Sequence, residues 1–218
     1  MSWETSQEPK IFIAIPHTGT VSMEWALSLR QLKTPTYLMS MSRGTPWDVA
    51  RNTLVNEFLK GTTPYLFFLD SDVIIPAHGI NKLLSLELPV VSGLYFTKTP
   101  PQPVPAMWQK TDETGKYVSI QGYAKNETVE ADVVGMGCCL IHRRVFEKLK
   151  EINPEKPFYK WTFDPTKSDV GEGISEDFYF CERVKKEIGY KIFVDTSIEC
   201  KHVGQFDTGS NGIEFQDV

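Results

Sequence analysis

The chain lacks an excess of basic charge: Lys and Arg total 23 against 28 Asp and Glu, a formal net charge of −5, and no long basic run occurs. That argues against a protein gripping nucleic acid through its bulk field, though not against a local basic pocket. Cysteine is scarce as well. Cys138, Cys139, Cys181 and Cys200 form no Cys-x-x-Cys pair, so neither a zinc site nor a disulfide frame is indicated, and all four read as buried thiols of a cytoplasmic chain. Long hydrophobic runs are missing. The apolar stretch 133–141 falls well short of the ~20 residues a helix needs to cross a bilayer, so no transmembrane segment is expected, and the N-terminus shows no signal-peptide pattern. No internal repeat is visible. What is present, 41% hydrophobic and 23% charged residues over 218 positions, fits one ordinary soluble domain large enough to bury its own core.

The first half alternates strand and helix. Residues 10–15 form a short apolar run ending in Pro16, residues 22–31 have helical spacing, and residues 36–40 read as a weaker strand. Thr45 and Pro46 open a helix that runs to Lys60 and stops at Gly61. Five apolar residues, 65–69, follow as a strand covered on both faces, then a helix over 77–86 and a strand over 90–95. Repeated βαβ units imply an α/β fold with a mostly parallel central sheet flanked by helices, its ligands lying beyond the carboxyl ends of the strands. The second half is less regular. Four prolines in 99–105 exclude a helix, and the turn residues at 112–115 imply a hairpin. Residues 133–141 read as one further central strand, 143–152 as a helix, and 153–173 as a long functional loop poised as a mobile lid. Ser175 caps a helix to Ile188, Gly189 stops it, and 191–195 is the last strand. The domain is expected to span 10–204, with flexible termini at 1–9 and 205–218.

Six groups of residues can carry chemistry or binding. Asp70-Ser71-Asp72 leaves a buried strand at its carboxyl end, where paired carboxylates would repel unless a cation joined them. Hard oxygen donors suit Mg²⁺ or Mn²⁺, yet Asp and Ser also make ordinary turns. Arg51, beside Asn52, falls within the apolar stripe of Trp47, Leu54, Val55 and Phe58. It needs an anionic partner, either Asp70 or a ligand phosphate, unless its stem only covers the core. Glu176 and Asp177 follow Ser175 and suit the start of a helix dipole, while Asp177 can equally project into the cleft as a general base. His202 follows the last strand, where it can complete an Asp/Asp/His metal set or simply sit satisfied. His17 and Thr18 can face a nucleotide or form the turn at Gly19. Trp108, Tyr159, Trp161 and Phe163 can stack on sugar rings or pack internally.

Taken in chain order, these stretches resemble the GT-A-fold glycosyltransferases, especially the family 2 type and its small archaeal and viral relatives. The resemblance rests on Ile13-Ala14-Ile15-Pro16, Ala50-Arg51-Asn52, Phe67-Phe68-Leu69-Asp70-Ser71-Asp72, Gly135-Met136-Gly137-Cys138-Cys139-Leu140-Ile141, Ser175-Glu176-Asp177 with Cys181-x-Arg183, Gly189-Tyr190-Lys191-Ile192 and His202. It implies a Rossmann-like GT-A sheet and a metal-dependent, hexosyl-type transfer from a UDP- or GDP-sugar to a hydroxyl on a glycan, lipid-linked or protein acceptor. By the same resemblance Asp70, Asp72 and His202 would hold Mn²⁺ or Mg²⁺. Pro16, Thr18, Arg51, Asn52 and Asp70 would lie along the donor, and Asp177, with Glu176 beside it, would act as base in an inverting reaction. Two departures stand out. Ser40, Met41, Ser42 and Arg43 replace the acidic residue that reads a uracil in many members, which leaves the base open, and the residues after Pro16 depart from the common Tyr-Asn pattern.

Two other classes compete. A haloacid-dehalogenase-type phosphatase also ends an apolar strand in Asp-x-Asp, but on its first strand and followed by Gly-Thr. Here two βα units precede the motif and Val73-Ile74 stands in place of that pair. Release of inorganic phosphate would mark it. A catalytically inactive sugar- or nucleotide-binding module would bind donor without turnover.

Overall fold

A computed structural model describes residues 10–43, 46–98, 103–111, 116–164, 172–203, 206–209 and 212–215. The first half contains β1 (Ile11–His17), α1 (Met23–Gln31), β2 (Tyr37–Arg43), α2 (Trp47–Lys60), β3 (Tyr65–Leu69), β4 (Val73–Ile74), α3 (Gly79–Ser85) and β5 (Val90–Leu94). Next come β6 (Met107–Lys110), β7 (Tyr117–Ser119), β8 (Thr128–Ala131), β9 (Val133–Val134), β10 (Cys138–His142) and α4 (Arg143–Ile152). The chain continues with β11 (Thr162–Asp164), β12 (Glu172–Ile174), α5 (Glu176–Ile188), β13 (Ile192–Glu199), β14 (Lys201–His202), β15 (Phe206–Gly209) and β16 (Gly212–Phe215).

Local signals set several of these boundaries. Ser22 caps α1 by accepting from Trp25 N at 3.0 Å, and Gly189, in the left-handed region at φ 68°, ends α5. Alternation within β1 sends Phe12 and Ala14 to one face of the sheet and Ile11, Ile13 and Ile15 to the other. The first face packs against α2, α4 and α5 through Leu54, Phe58, Phe146 and Phe180; the second packs against α1 and α3 through Trp25, Ile80 and Leu83. A seven-stranded sheet thus lies between two helical layers, in the order β2-β1-β3-β10-β5-β13-β8. Strands β1, β2, β3, β5 and β13 run one way, and β10 and β8 run against them. This is the expected Rossmann-like α/β architecture, mostly parallel and flanked by helices. No described helix is long and apolar enough to cross a membrane. All four cysteines are buried free thiols.

Three expectations need correction. Residues 133–141 are not one strand: β9 joins a small sheet with β6 and β7, while β10 enters the main sheet antiparallel to both neighbours. The break falls at Gly135-Met136-Gly137, where the chain passes close under other groups. A Cβ on Gly135 would lie 1.9 Å from Tyr95 Oη, and one on Gly137 would lie 2.9 Å from Val73 Cγ2. Secondly, the segment assigned to a flexible tail contributes the β15–β16 hairpin, which extends β14 and β4 into a four-stranded sheet. Thirdly, the loop over 153–173 is fixed over much of its described length. Tyr159 is fully buried and stacks on Phe180 at 4.6 Å, and β11 pairs with β12; residues 165–171 lie outside the described residues. The hairpin expected around 112–115 is seen in the pairing of β6 with β7, its tip also outside the described residues.

The close pass at Gly135 yields a stability prediction. Gly135→Ala should cost about 1–3 kcal/mol, because its methyl group must displace the Tyr95 phenol. Urea denaturation reads this directly, and an unchanged midpoint would mean that the phenol yields freely.

Candidate functional site

The carboxyl ends of β1, β3 and β5 open onto two adjoining cavities. One, of about 320 Å³, is lined by Arg51, Asp70, Lys98, Trp108, Asp177 and His202 among others. The second, of about 410 Å³, is lined by Thr18, Thr20, Ser22 and Ser71. Trp47 and Asp72 line both, so Asp72 stands at the waist between them.

Arg51 organises the inner wall. Its side chain is 3% exposed, and the partner its place in an apolar stripe required is Asp70, met by two parallel hydrogen bonds of 3.0 and 3.1 Å. Its Nε also lies 3.4 Å from Glu176 Oε1 and 3.6 Å from Asp177 Oδ1. Three carboxylates therefore share one guanidinium, which sits over the Phe68 ring at 5.1 Å. Backbone contacts complete the frame. Asp70 N donates to Gly137 O at 3.0 Å, Trp25 Nε1 donates to Asp70 O at 3.0 Å, and Gly137 N donates to Tyr95 Oη at 3.0 Å.

Asp177 is the strained member. Its Oδ2 accepts from Met136 N at 3.3 Å, whereas buried Oδ1 has no hydrogen-bond donor among the described residues. Burial pushes its carboxyl up, Glu176 and Asp70 add repulsion, and Arg51 offsets only part, leaving it at about 8. Ser175 does not cap α5 with its side chain; only its carbonyl serves, accepting from Tyr179 N.

Asp72 is the opposite case. Burial alone would raise its carboxyl, but hydrogen bonds and charge from His202 and Lys98 outweigh that and hold it at about 2. Lys98 Nζ lies 2.7 Å and His202 Nε2 3.5 Å from Asp72 Oδ2. The His202 ring stands edge-on to Tyr95 at 5.5 Å, and its Nδ1 lies 2.7 Å from Phe96 O. A carbonyl only accepts, so Nδ1 carries the proton and donates.

The expected site residues divide accordingly. Asp70, Asp72, Arg51, Glu176, Asp177 and His202 converge on the first cavity, and Thr18 lines the second. Asp70 is committed to Arg51, and among the described residues no three His, Cys, Asp or Glu side chains are grouped to hold a metal, so the Asp70/Asp72/His202 set is not assembled. Asn52 lines neither cavity. Its amide clamps Tyr159, donating to the carbonyl at 2.7 Å and accepting from the N–H at 3.1 Å. Pro16 is buried within β1. His17 ends that strand, paired with Arg43 in the register of β2. Trp108 lines the first cavity, Tyr159 is core and Trp161 is 53% exposed; the Phe163 side chain lies outside what is described. Lys98, Tyr95 and the Gly135–Gly137 bend escape sequence reasoning, because each lies just past a strand with no spacing to mark it.

Two outcomes follow from the Arg51 cluster. Arg51→Met should cost about 3–5 kcal/mol, since it strands three carboxylates without their cation; denaturant unfolding would show it. The second concerns pH. An unfolded Asp loses its proton near pH ~4, whereas folded Asp177 keeps its own to about 8. Between those values the folded state binds more protons, so this contribution is complete at low pH and is lost as pH climbs through about 8. Asp177→Asn should therefore flatten the fall in melting temperature between pH 5 and 8.5. An identical slope in both proteins would place the retained proton elsewhere.

No protein-family model matches this chain, and no curated protein does. Among solved structures it is similar to A197 from STIV, with 20% identity and a TM-score of 0.62 over 96% of this chain and 95% of that one. At that identity the likeness speaks for the α/β fold and for nothing finer.

Proposed function

We propose that the protein is a metal-dependent glycosyltransferase moving a sugar from a nucleotide-sugar donor to an acceptor hydroxyl. The observation that carries this reading is the position of Asp72 between a hydroxyl-lined cavity and a cavity ending in a proton-retaining carboxylate. A nucleoside in the second cavity and a sugar in the first would put the diphosphate at the waist. The resemblance to GT-A glycosyltransferases points the same way.

The donor set at the waist suits Mn²⁺ or Mg²⁺ in a particular form. With Nδ1–H engaged by Phe96 O, His202 Nε2 and the neighbouring Asp72 Oδ2 are the groups that would hold the ion. When bound, such an ion neutralises the charge that develops on a departing diphosphate. The protein's own groups do the rest. Arg51 holds Asp70 and keeps the end of β3 in place, Trp108 and Trp47 offer faces for a ring, and Asp177 takes the proton of the attacking hydroxyl. Attack on the face away from a departing diphosphate would invert the anomeric carbon. Because Asp177 ionises only near pH 8, the rate should climb with pH toward that value.

The test begins with a panel of nucleotides and nucleotide sugars, with and without Mn²⁺, read by thermal shift. A true ligand at a hundred times its Kd adds ~2.7 kcal/mol of stability. The responding sugar nucleotide is then followed for turnover. Asp177→Asn should fold and bind donor normally but transfer at least ~10²-fold more slowly and lose the alkaline rise. Near-normal transfer by that variant would remove Asp177 as base. Release of inorganic phosphate from simple esters would favour the phosphatase class, and binding without turnover a binding module.

A further inference from the structure

Lys98 belongs to none of the sequence constellations, yet its Nζ lies 2.7 Å from Asp72 Oδ2, closer than His202 Nε2, at 3.5 Å from the same oxygen. Both groups depend on one strap that follows β5. The Phe96 carbonyl accepts from His202 Nδ1, and two residues later Lys98 reaches back to Asp72. The base of the strap is pinned: Thr97 N donates to Val104 O at 2.9 Å, Val104 N donates to Thr97 Oγ1 at 3.2 Å, and Phe96 bridges Pro105. The ammonium is thus delivered to the waist by fixed backbone.

The two long cationic side chains of the first cavity differ in freedom. Arg51 is 3% exposed and tied to three carboxylates. Lys98 is 35% exposed, and its partner Asp72 is 45% exposed. Solvated pairs of that kind are weak and exchange partners easily. An anion entering the waist therefore meets one cation that cannot move and one that can.

We propose that Lys98 is a displaceable internal counter-ion that keeps a divalent cation off Asp72 until a diphosphate arrives, a role that rests on the transferase reading. Without an anion, the ammonium covers the carboxylate oxygen a metal would use. A diphosphate gives Lys98 a second anionic partner; the ammonium moves onto a phosphate oxygen, and Asp72 with His202 Nε2 is uncovered. Charge stays balanced, because the oxygens that take Lys98 come with the diphosphate and the carboxylate receives the cation in its place. Metal and nucleotide then bind as a coupled pair, each tightening the other by the same factor. Lys98 ends against the leaving group, where its charge also helps.

The experiment measures Mn²⁺ binding to the full chain by electron paramagnetic resonance of the free ion, alone and with UDP or GDP. Wild type is compared with Lys98→Met, Lys98→Arg and Lys201→Met. Lys201 pairs with Glu24 at 3.2 Å and adjoins His202, so its removal reports the general effect of losing a nearby charge. Lys98→Met should bind Mn²⁺ alone roughly tenfold more tightly than wild type, and the nucleotide should then add less. Lys98→Arg should stay near wild type, as should Lys201→Met. Equal Mn²⁺ affinity in wild type and Lys98→Met overturns the counter-ion role and leaves the transferase reading in place. So does an equal gain in Lys201→Met, which would be bulk electrostatics. If no protein binds Mn²⁺ even with nucleotide, the proposal and the metal-dependent reading fall together.

Discussion

One buried guanidinium sets the terms for the candidate site. Arg51 comes from α2, Asp70 from the end of β3, and Glu176 and Asp177 from the start of α5, so three separate segments are closed around a single positive charge. Without it the carboxylates would drive those segments apart, and with it they still outnumber their cation. The excess appears as a proton kept by Asp177. The same pairing divides the two aspartates of Asp70-Ser71-Asp72: the inner one is consumed in holding the architecture, and the outer one is left facing the cavities. The two carboxylates of one motif are thus set apart in three dimensions, one paired with a buried guanidinium and one half-exposed beside Lys98 and His202.

Elements whose signals are local were legible in the sequence. The apolar run of β3, the helical spacing of α1, the Gly189 stop of α5 and the stripe of α2 all depend on residues within a few positions of one another. What pairs at a distance was not. A run such as 133–141 carries no mark of strand direction, and the bend at Gly135–Gly137 exists because Tyr95, Val73 and Asp70 crowd it from elsewhere in the chain. The hairpin β15–β16 is short, and it is held by pairing with β14 that its own composition does not announce.

The site shows the same division. Asp72, Arg51, Asp177 and His202, which line one cavity, stand out in the sequence because a charge beside a buried strand or on an apolar stripe has to be explained. For Asn52 the sequence leaves the partner open, because an amide suits a ligand and a backbone equally well, and here it bonds the backbone of Tyr159. With Asp48, which accepts from Trp161 N at 3.0 Å, it ties the long loop to α2 and removes much of the freedom its composition suggested. Lys98 left no trace in the sequence: one lysine after a strand resembles any other until the strap beneath it is seen.

The reversal of β10 has a consequence for durability. Its parallel neighbours meet the cavities with their carboxyl ends, but β10 arrives there by its amino end, preceded by Met136 and Gly137. The N–H of Met136 goes to Asp177 and that of Gly137 to Tyr95, so an acidic centre is steadied by donors belonging to the main chain. A side chain can be exchanged by a single substitution, and its hydrogen bonds go with it, whereas a peptide N–H stays whatever residue bears it, proline excepted. Part of the polarity that supports this centre is therefore written into the direction of a strand, and a substitution reaches it only by displacing the backbone, as a Cβ at Gly137 would, 2.9 Å from Val73 Cγ2.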